Sequence, residues 1–300
     1  MPTTQPPTLP YPTEIPKPLP QQLLPHLLRH RRMLLCLDYD GTLSEITDRP
    51  FDARPVRQAR DHVAALSGNR DRIEVAIVSG RDIDTVRNLL GLEHDLIFIG
   101  NHGIEIADIT GKRHVAPGVE AAEADLARVR KWIGREVPTG SGFVVEDKRS
   151  TIALHYRVAR PSVASVVRSA LRKFLQDECP RVEILAGKMV DEVIPRGLGG
   201  KGDAVRQILD SMSESNPVAV YFGDDTTDED AFFALRDAGV TVRVGAPRRS
   251  WAQYRVADPA AVVTVLSSLV SVLEGGYSLD GLASAVVAHV KALMGDTGYN

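Results

Sequence analysis

Short apolar runs alternate with amphipathic segments along most of this 300-residue chain. The runs cover residues 33–37, 73–78, 96–100, 218–222 and 240–244. A short apolar run bounded by turn residues is typical of a strand that is covered on both faces. Because strands that alternate with helices are joined by crossovers, the pattern predicts an α/β fold with a doubly wound parallel sheet.

This pattern is interrupted between residues 107 and 195. Helical spacing covers 119–134 and 163–175, while 143–148, 151–158, 182–185 and 189–194 are predicted strands. In the segment 151–158, apolar residues from Ile152 to Val158 alternate with more polar ones, which indicates one buried face. We expect an α+β unit over 107–195, inserted into a core formed by 31–106 and 196–300.

The two ends of the chain are less informative. Residues 1–20 contain eight of the nineteen prolines, a composition typical of an extended segment. We therefore assign residues 1–30 to a disordered leader that catalysis does not need, although 21–32 have the pattern of a short helix. Helices are predicted at 260–273 and 282–293.

Composition excludes several classes of function. A net charge of −3 without a stripe of basic residues argues against nucleic acid, and no apolar run approaches the roughly 18–20 residues of a membrane span. Cys36 and Cys179 are far apart and lack a C-x-x-C partner, which suits a reducing compartment. We expect a cytoplasmic monomer without nucleic-acid or membrane partners.

Polar residues follow the strands at the same end of each. They are Asp38 and Asp40 after the first strand, Ser79 after the second, Asp224 and Asp225 after the fourth, and Lys201 at the start of the preceding helix. Each alone fits a turn, a helix cap or a surface lysine. Because the carboxyl ends of parallel strands meet at one edge, where such sheets bind ligands, all six together favour a site.

The chemistry of this set suits a phosphate group. Carboxylate oxygens are ligands that Mg²⁺ prefers, and a hydroxyl and an ammonium from Ser79 and Lys201 suit a phosphate dianion. Asp38 could attack phosphorus to form an aspartyl phosphate. Asp40 could protonate the leaving alcohol and then deprotonate the hydrolytic water.

Four segments in this order resemble the motifs of the haloacid dehalogenase superfamily of phosphatases. They are Asp38-Tyr39-Asp40-Gly41-Thr42, Ser79-Gly80-Arg81, Lys201-Gly202 and Gly223-Asp224-Asp225. Within it, five longer segments resemble the trehalose-6-phosphate phosphatase family, a likeness that covers about residues 33–250. They are Leu37-Asp38-Tyr39-Asp40-Gly41-Thr42-Leu43, Val78-Ser79-Gly80-Arg81-Asp82, Gly100-Asn101-His102-Gly103-Ile104-Glu105, Ala153-Leu154-His155-Tyr156-Arg157 and Gly223-Asp224-Asp225-Thr226-Thr227-Asp228-Glu229-Asp230-Ala231-Phe232.

The resemblance implies a role for each motif. Asp38 would be the nucleophile and Asp40 the acid/base, and Ser79, Gly80 and Lys201 would hold the phosphate. The implied Mg²⁺ ligands are Asp38, the Asp40 carbonyl and Asp224, to which we add Asp225. Asp228 would support the metal site or cap the next helix.

The inserted unit would be the cap that closes over the sugar. Glu146 and Lys148, two apart on one strand, together with Glu192, match the sugar-binding pattern, whereas an ordinary Glu–Lys pair on a solvated sheet is the simpler interpretation. Arg157, Lys188 and His102 are further candidates. Three functions stay open: release of phosphate from trehalose 6-phosphate, the same reaction on sucrose phosphate or a glucosyl-polyol phosphate, and a non-catalytic sugar-phosphate sensor.

Overall fold

A computed structural model describes residues 11–47, 52–116, 118–187, 189–198 and 200–275. The predicted helix at 282–293 and the candidate ligand Lys188 lie outside these ranges. The strands are β1 (Lys17–Pro18), β2 (Met33–Asp38), β3 (Ile73–Val78), β4 (Ile97–Gly100), β5 (Glu105–Ala107), β6 (Arg113–Val115), β7 (Val144–Asp147), β8 (Ile152–His155), β9 (Val182–Gly187), β10 (Val190–Pro195), β11 (Val218–Gly223), β12 (Gly239–Val244) and β13 (Tyr254–Val256). The helices are α1 (Leu23–His30), α2 (Ala59–Ser67), α3 (Ile83–Leu90), α4 (Val119–Glu136), α5 (Pro161–Glu178), α6 (Lys201–Ser211), α7 (Asp228–Leu235) and α8 (Pro259–Gly275).

Nine strands form the core sheet, in the order β1-β13-β12-β11-β2-β3-β4-β5-β6. Neighbours are parallel from β1 to β4, and β5 and β6 continue the sheet antiparallel. β2 lies at its centre and is buried along its whole length. The ends of β2, β3 and β11 therefore lie side by side.

Both faces of the core sheet are covered by helices. Met33, Leu35 and Leu37 of β2 belong to a core that includes residues of α1, α2, α3 and α8. Leu34 and Cys36 point the other way, into a core shared with α6 and α7. The predicted doubly wound sheet is confirmed.

The inserted unit has its own core. Its sheet, in the order β7-β8-β10-β9, is antiparallel throughout. Apolar residues of α4 and α5, among them Leu126 and Leu171, pack on it with Ile152 and Leu154 of β8. The predicted α+β architecture is confirmed.

Two boundaries differ from the predictions. β5 and β6 extend the core sheet to Val115, so the inserted unit begins after this hairpin and not at residue 107. Within the leader, Lys17–Pro18 pairs with β13 and α1 buries Leu24 and Leu28, so disorder is wrong for this part. β1 of the leader and β13 are far apart in the chain and pair only in the folded structure. Their pairing is therefore not visible as a local sequence pattern in either strand.

The segment around β8 also departs from its predicted alternation of buried and exposed residues. Thr151 and Ala153, on the face expected to be polar and exposed, are fully buried. Val158, expected to be buried, is 81% exposed, because the strand ends at His155 and a turn follows in which Ala159 N donates to Tyr156 O. The buried hydroxyl of Thr151 donates to Glu192 Oε1 of β10 at 2.7 Å.

Two further features bear on the sequence predictions. The thiols of Cys36 and Cys179 are free and buried, and burial raises the pKa of Cys36. Among the helices in the described ranges, none combines the length and apolar character that a membrane crossing requires.

Candidate active site at the edge of the core sheet

Two turns meet at the carboxyl edge of the core sheet. Asp38 ends β2, and the turn that follows contains Gly41 with φ of +83°. A Cβ atom on Gly41 would lie 2.3 Å from Cγ of Asp224, which follows β11. Glycine is therefore required both for the backbone conformation and for the close approach of the second turn.

Three carboxylates gather where these turns meet. Asp38, Asp224 and Asp228 each place one oxygen within 4.8 Å of the others. Lys201, at the start of α6, donates from Nζ to Asp38 Oδ1 at 2.7 Å and to Asp228 Oδ1 at 2.8 Å. The structure thus brings together predicted residues from distant parts of the chain.

Asp228 is the carboxylate of this cluster that is held by the most hydrogen bonds. It is fully buried, and it accepts hydrogen bonds from the Tyr221 hydroxyl at 2.8 Å and from Asp225 N at 3.0 Å, besides Lys201. With this set of donors Asp228 has little capacity left for another partner. Its main effect is to fix the Lys201 ammonium beside Asp38.

The cluster carries more negative than positive charge. Burial, and then the charge of Asp228, raise the pKa of Asp38 well above its usual value, against the lowering effect of Lys201. Burial and the neighbouring aspartates raise the pKa of Asp224 to about 7. For Lys201, burial alone would lower the pKa, but Asp228 and Asp38 outweigh it and raise the pKa.

The donor set fits a divalent cation. Asp224 Oδ1 is buried and has no hydrogen-bond partner among the described residues. Asp38 lies beside it. Carboxylate oxygens are the hard ligands that Mg²⁺ prefers, and the cluster has more negative than positive charge. Asp225 does not join this group: its carboxylate is exposed and accepts from the Thr226 hydroxyl, so its predicted role as a ligand is not supported.

Asp40 points to the mouth of the site. Its oxygens accept from Arg81 Nε and Nη2, both at 2.6 Å, in a two-point ion pair. The carboxylate is 38% exposed, so it borders the open side of the edge where a leaving group would lie. The pairing ties the turn after β2 to the Ser79-Gly80-Arg81 turn after β3.

Two hydroxyls lie at the same edge. Ser79 is buried and its Oγ accepts from Arg81 N at 3.1 Å, which leaves its proton free to be donated. Thr42 Oγ1 is buried without a hydrogen-bond partner among the described residues. Both hydroxyls can donate to an anion beside Asp38.

The inserted unit reaches this edge through Lys148 and Glu192. Lys148 Nζ donates to Gly80 O at 2.8 Å and to Glu192 Oε1 at 3.1 Å. Glu192 also accepts from the Thr151 hydroxyl at 2.7 Å, and its Oε2 lies 3.0 Å from His102 Nε2. Two residues of the inserted unit thus contact two turns of the core.

Glu192 is held as an anion by these contacts. Burial alone would raise its pKa, but the hydrogen bond with His102 and the charge of Lys148 lower the pKa to about 2. His102 adopts φ of +58°, and a Cβ on Gly80 would lie 2.4 Å from its Cε1. The glycine after Ser79 is therefore needed to admit His102.

The other predicted sugar ligands have different surroundings. Glu146 Oε2 lies 3.2 Å from His155 Nε2, and its charge acts on Arg81 across the gap to the core. Arg157 is exposed in the turn after β8. The structure therefore brings Lys148, Glu192 and His102 together, with Glu146 nearby and Arg157 outside the group.

Comparison with known proteins identifies the family. A sequence model described as trehalose-phosphatase matches residues 36–260. The chain belongs to the trehalose-phosphatase family. A trehalose-phosphate phosphatase of Mycobacterium avium is 34% identical over 83% of this chain and 65% of the relative. An uncharacterized glycosyl hydrolase of Mycobacterium tuberculosis is 35% identical over 86% of this chain, but over 20% of its own length.

The chain thus spans a fifth of one relative and slightly under two thirds of the other. A solved trehalose-6-phosphate phosphatase C-terminal domain of C. albicans covers 86% of this chain and 99% of its own, with 24% identity and a TM-score of 0.73. That likeness shows the same fold. Family membership agrees with the haloacid dehalogenase motifs found in the sequence.

Several residues of the candidate site in this member of the trehalose-phosphatase family were not anticipated. Tyr221 supports Asp228 from within β11, and its only local signal is a hydroxyl in an apolar strand. Arg81 was quoted as part of a motif, but its pairing with Asp40 was not predicted. Arg243 is a charged residue in the run 240–244, and a buried strand that contains an arginine was a signal that could have been used.

Proposed function

We propose that this protein is a Mg²⁺-dependent phosphatase that hydrolyses trehalose 6-phosphate to trehalose and inorganic phosphate. One observation carries the proposal: Asp38 contacts Lys201 and lies beside Asp224, whose Oδ1 has no hydrogen-bond partner among the described residues, in a chain of the trehalose-phosphatase family. A nucleophile, a fixed cation and a site for a second cation are what phosphate transfer to an aspartate needs.

The reaction has two displacements. An oxygen of Asp38 attacks phosphorus, the bond from phosphorus to the sugar oxygen breaks, and Asp40 gives that oxygen a proton. Water then attacks the aspartyl phosphate, Asp40 takes a proton from the water, and the bond from phosphorus to Asp38 breaks. Asp40 ends with the proton it began with, so the cycle is balanced.

The charged residues around Asp38 offset the negative charge of the phosphate. Lys201 stays protonated, because both of its aspartate partners raise its pKa, and it offsets the charge of the phosphate. Asp38, Asp224 and the Asp40 carbonyl would hold Mg²⁺, which supplies further neutralisation of the phosphate oxygens. Ser79 and Thr42 would donate their hydroxyl protons to the same oxygens.

Asp40 must give up part of its ion pair to act. Both of its oxygens accept from Arg81 in the structure, and an oxygen that carries the proton for the leaving group has to donate instead of accept. The leaving oxygen therefore has to replace one of these two bonds. Substrate binding and the freeing of Asp40 would occur in the same step.

Recognition of the sugar belongs to the inserted unit. Lys148 and Glu192 bond each other and the core. Sugar hydroxyls could exchange with these contacts, because ammonium and carboxylate groups pair well with hydroxyls. Buried polar groups of this kind reject a ligand that leaves one of them unpaired.

Phosphate release tests the proposal. The purified chain with Mg²⁺ is assayed on trehalose 6-phosphate, sucrose phosphate, a glucosyl-polyol phosphate, a monosaccharide phosphate and a nucleotide. We expect the highest kcat/KM on trehalose 6-phosphate. A preference for a monosaccharide phosphate or a nucleotide would overturn the substrate assignment.

Two variants test the role of Asp38 in catalysis. Asp38→Asn should abolish turnover without unfolding the chain, while Asp177→Asn, on the exposed face of α5, should keep full activity. Unchanged activity in Asp38→Asn would remove Asp38 from the mechanism. Tight binding of sugar phosphate by the parent chain with no phosphate release would instead support the sensor.

A further inference from the structure

An arginine lies inside the core sheet next to the acidic cluster. Arg243 is on β12, directly beside β11, and is only 5% exposed. Its Nη2 donates to the main-chain carbonyl of Asp224 at 3.3 Å, and its Nη1 donates to Ala246 O at 2.7 Å. The guanidinium thus connects the turn after β11 with the turn after β12.

A second arginine reaches the same atom from outside. Arg248, in the exposed loop after β12, donates from Nη2 to Asp224 O at 3.1 Å. Two guanidinium groups therefore converge on one carbonyl. Bonds with a charged donor are stronger than neutral ones, so this carbonyl is an anchored point of the turn.

The side chain of Asp224 lacks an equivalent anchor. Its Oδ1 has no hydrogen-bond partner in the described part of the chain. Repulsion from Asp38 and Asp228 favours rotation of the Asp224 carboxylate away from the cluster. Its position facing Asp38 therefore depends on how firmly its main chain is held.

Arg243 is costly to keep in this place. It is buried, and its Nε has no hydrogen-bond partner among the described residues, so part of its hydration is lost without replacement. On β12 it takes a position in a sheet where the neighbouring Val242 and Val244 are fully packed. An apolar residue would suit the strand better unless the guanidinium has a task.

We propose that Arg243 is a positioning residue that holds the Asp224 main chain so that its carboxylate faces Asp38, with Arg248 as a weaker outer donor. The activity part of this inference depends on the proposed phosphatase function. The metal-binding part depends only on the acidic cluster. Arg243 touches neither substrate nor metal in this role.

Positioning and simple charge balance have opposite consequences for metal binding. Arg243 is a cation close to the cluster, so its charge alone repels Mg²⁺. If it did no more than balance charge, its removal would tighten Mg²⁺ binding. If it positions Asp224, its removal lets the carboxylate turn away and weakens binding.

The experiment is a titration of the full-length chain with Mg²⁺ by isothermal titration calorimetry. We expect Arg243→Met to raise the Mg²⁺ Kd about tenfold, Arg248→Met to raise it about threefold, and Arg243→Lys to recover part of the loss. Arg249→Met, an exposed charge change one residue from Arg248, is the control and should shift the Kd less than twofold. A parental or tighter Kd in Arg243→Met would overturn the proposal.

Kinetics provide a second readout. With subsaturating Mg²⁺, Arg243→Met should lower kcat and leave KM for the phosphate ester within twofold, since the hydrogen bonds of Arg243 go to Asp224 O and Ala246 O and not to the proposed sugar ligands. A rise in KM with unchanged kcat would contradict a positioning role. If no sugar phosphate is hydrolysed, the Mg²⁺ titration still decides the inference.

A second variant tests the proposal if Arg243→Met is too unstable to titrate. If Arg243→Met fails to fold, Arg243→Gln keeps a donor without the charge and is titrated in its place. Positioning predicts a Kd for Arg243→Gln between two and ten times the parental one. A Kd equal to or below the parental value would overturn the proposal in the same way.

Discussion

Replacing Lys201 with methionine tests the buried charge cluster most directly. The change removes an ammonium that donates to Asp38 at 2.7 Å and to Asp228 at 2.8 Å, in a place where all three side chains are at most 6% exposed. Methionine has a similar length and no charge. Two buried carboxylates then lose their counter-ion, which is strongly destabilising.

The cost can be bounded from the protonation of one aspartate. An unpaired buried carboxylate can escape its charge by binding a proton, and each unit between pH and pKa costs about 1.4 kcal/mol. For an ordinary aspartate pKa of 3.8, that is about 4 kcal/mol at pH 7 and about 2 kcal/mol at pH 5. The loss of unfolding free energy in Lys201→Met should therefore be about 4 kcal/mol at pH 7 and about half of that at pH 5.

The assay is urea unfolding in EDTA at both pH values, followed by circular dichroism. Lys173→Met, on the exposed face of α5, is the matched control and should change the unfolding free energy by less than about 0.5 kcal/mol. A loss below about 1 kcal/mol at pH 7, or an equal loss at pH 5 and pH 7, would refute the reasoning.

Three further predictions concern other parts of the molecule. Because the pKa of Asp224 is raised to about 7, Mg²⁺ must displace a proton near neutral pH; its affinity should rise from pH 6 to pH 8, and calorimetry in buffers of different ionisation enthalpy that detects no proton release would contradict this. Glu192, with its pKa lowered to about 2 from 4.5, contributes stability at neutral pH that is lost as pH falls from about 4.5 to about 2; the stability difference between the parent and Glu192→Gln should shrink over that window, and a constant difference would count against the ion pair. Deleting residues 1–20 removes the main-chain hydrogen bonds from Lys17 N, from Leu19 N and to Glu14 O, besides the local bond from Leu23 N to Pro20 O, and should cost about 2–4 kcal/mol, measured by urea unfolding against a chain that begins at residue 11 and keeps these contacts; equal stability of the two would contradict the packing of the leader.

The inserted unit illustrates which parts of the fold a sequence can predict. The helical spacing over α4 and α5 and the alternation in β8 depend on neighbours in the chain, so their type was predicted correctly. The burial of Thr151 was not, because it follows from Glu192 of β10. Thr151 was expected on an exposed face from its local pattern, but contacts formed in the folded chain bury it.

The candidate active site at the edge of the core sheet shows the same division between what the sequence predicts and what the fold decides. Asp38, Ser79, Lys201 and Asp224 were predicted to converge because each lies at the end of a strand or the start of a helix in a parallel sheet. That Asp228 and not Asp225 completes the acidic cluster depends on the turn after β11, where Asp225 N donates to Asp228 and Tyr221 supports it from the strand. Adjacent aspartates in a turn have no local feature that tells which one faces inward.

The order of apolar runs and the polar residues behind them determined the doubly wound sheet and the chemistry of its edge, since both depend on strand direction and residue type alone. The tertiary structure decided which charges meet: Arg81 with Asp40, His102 with Glu192, and Arg243 with the carbonyl of Asp224. Such pairings join residues distant in the chain, and their energies depend on burial, which no local pattern of residues specifies.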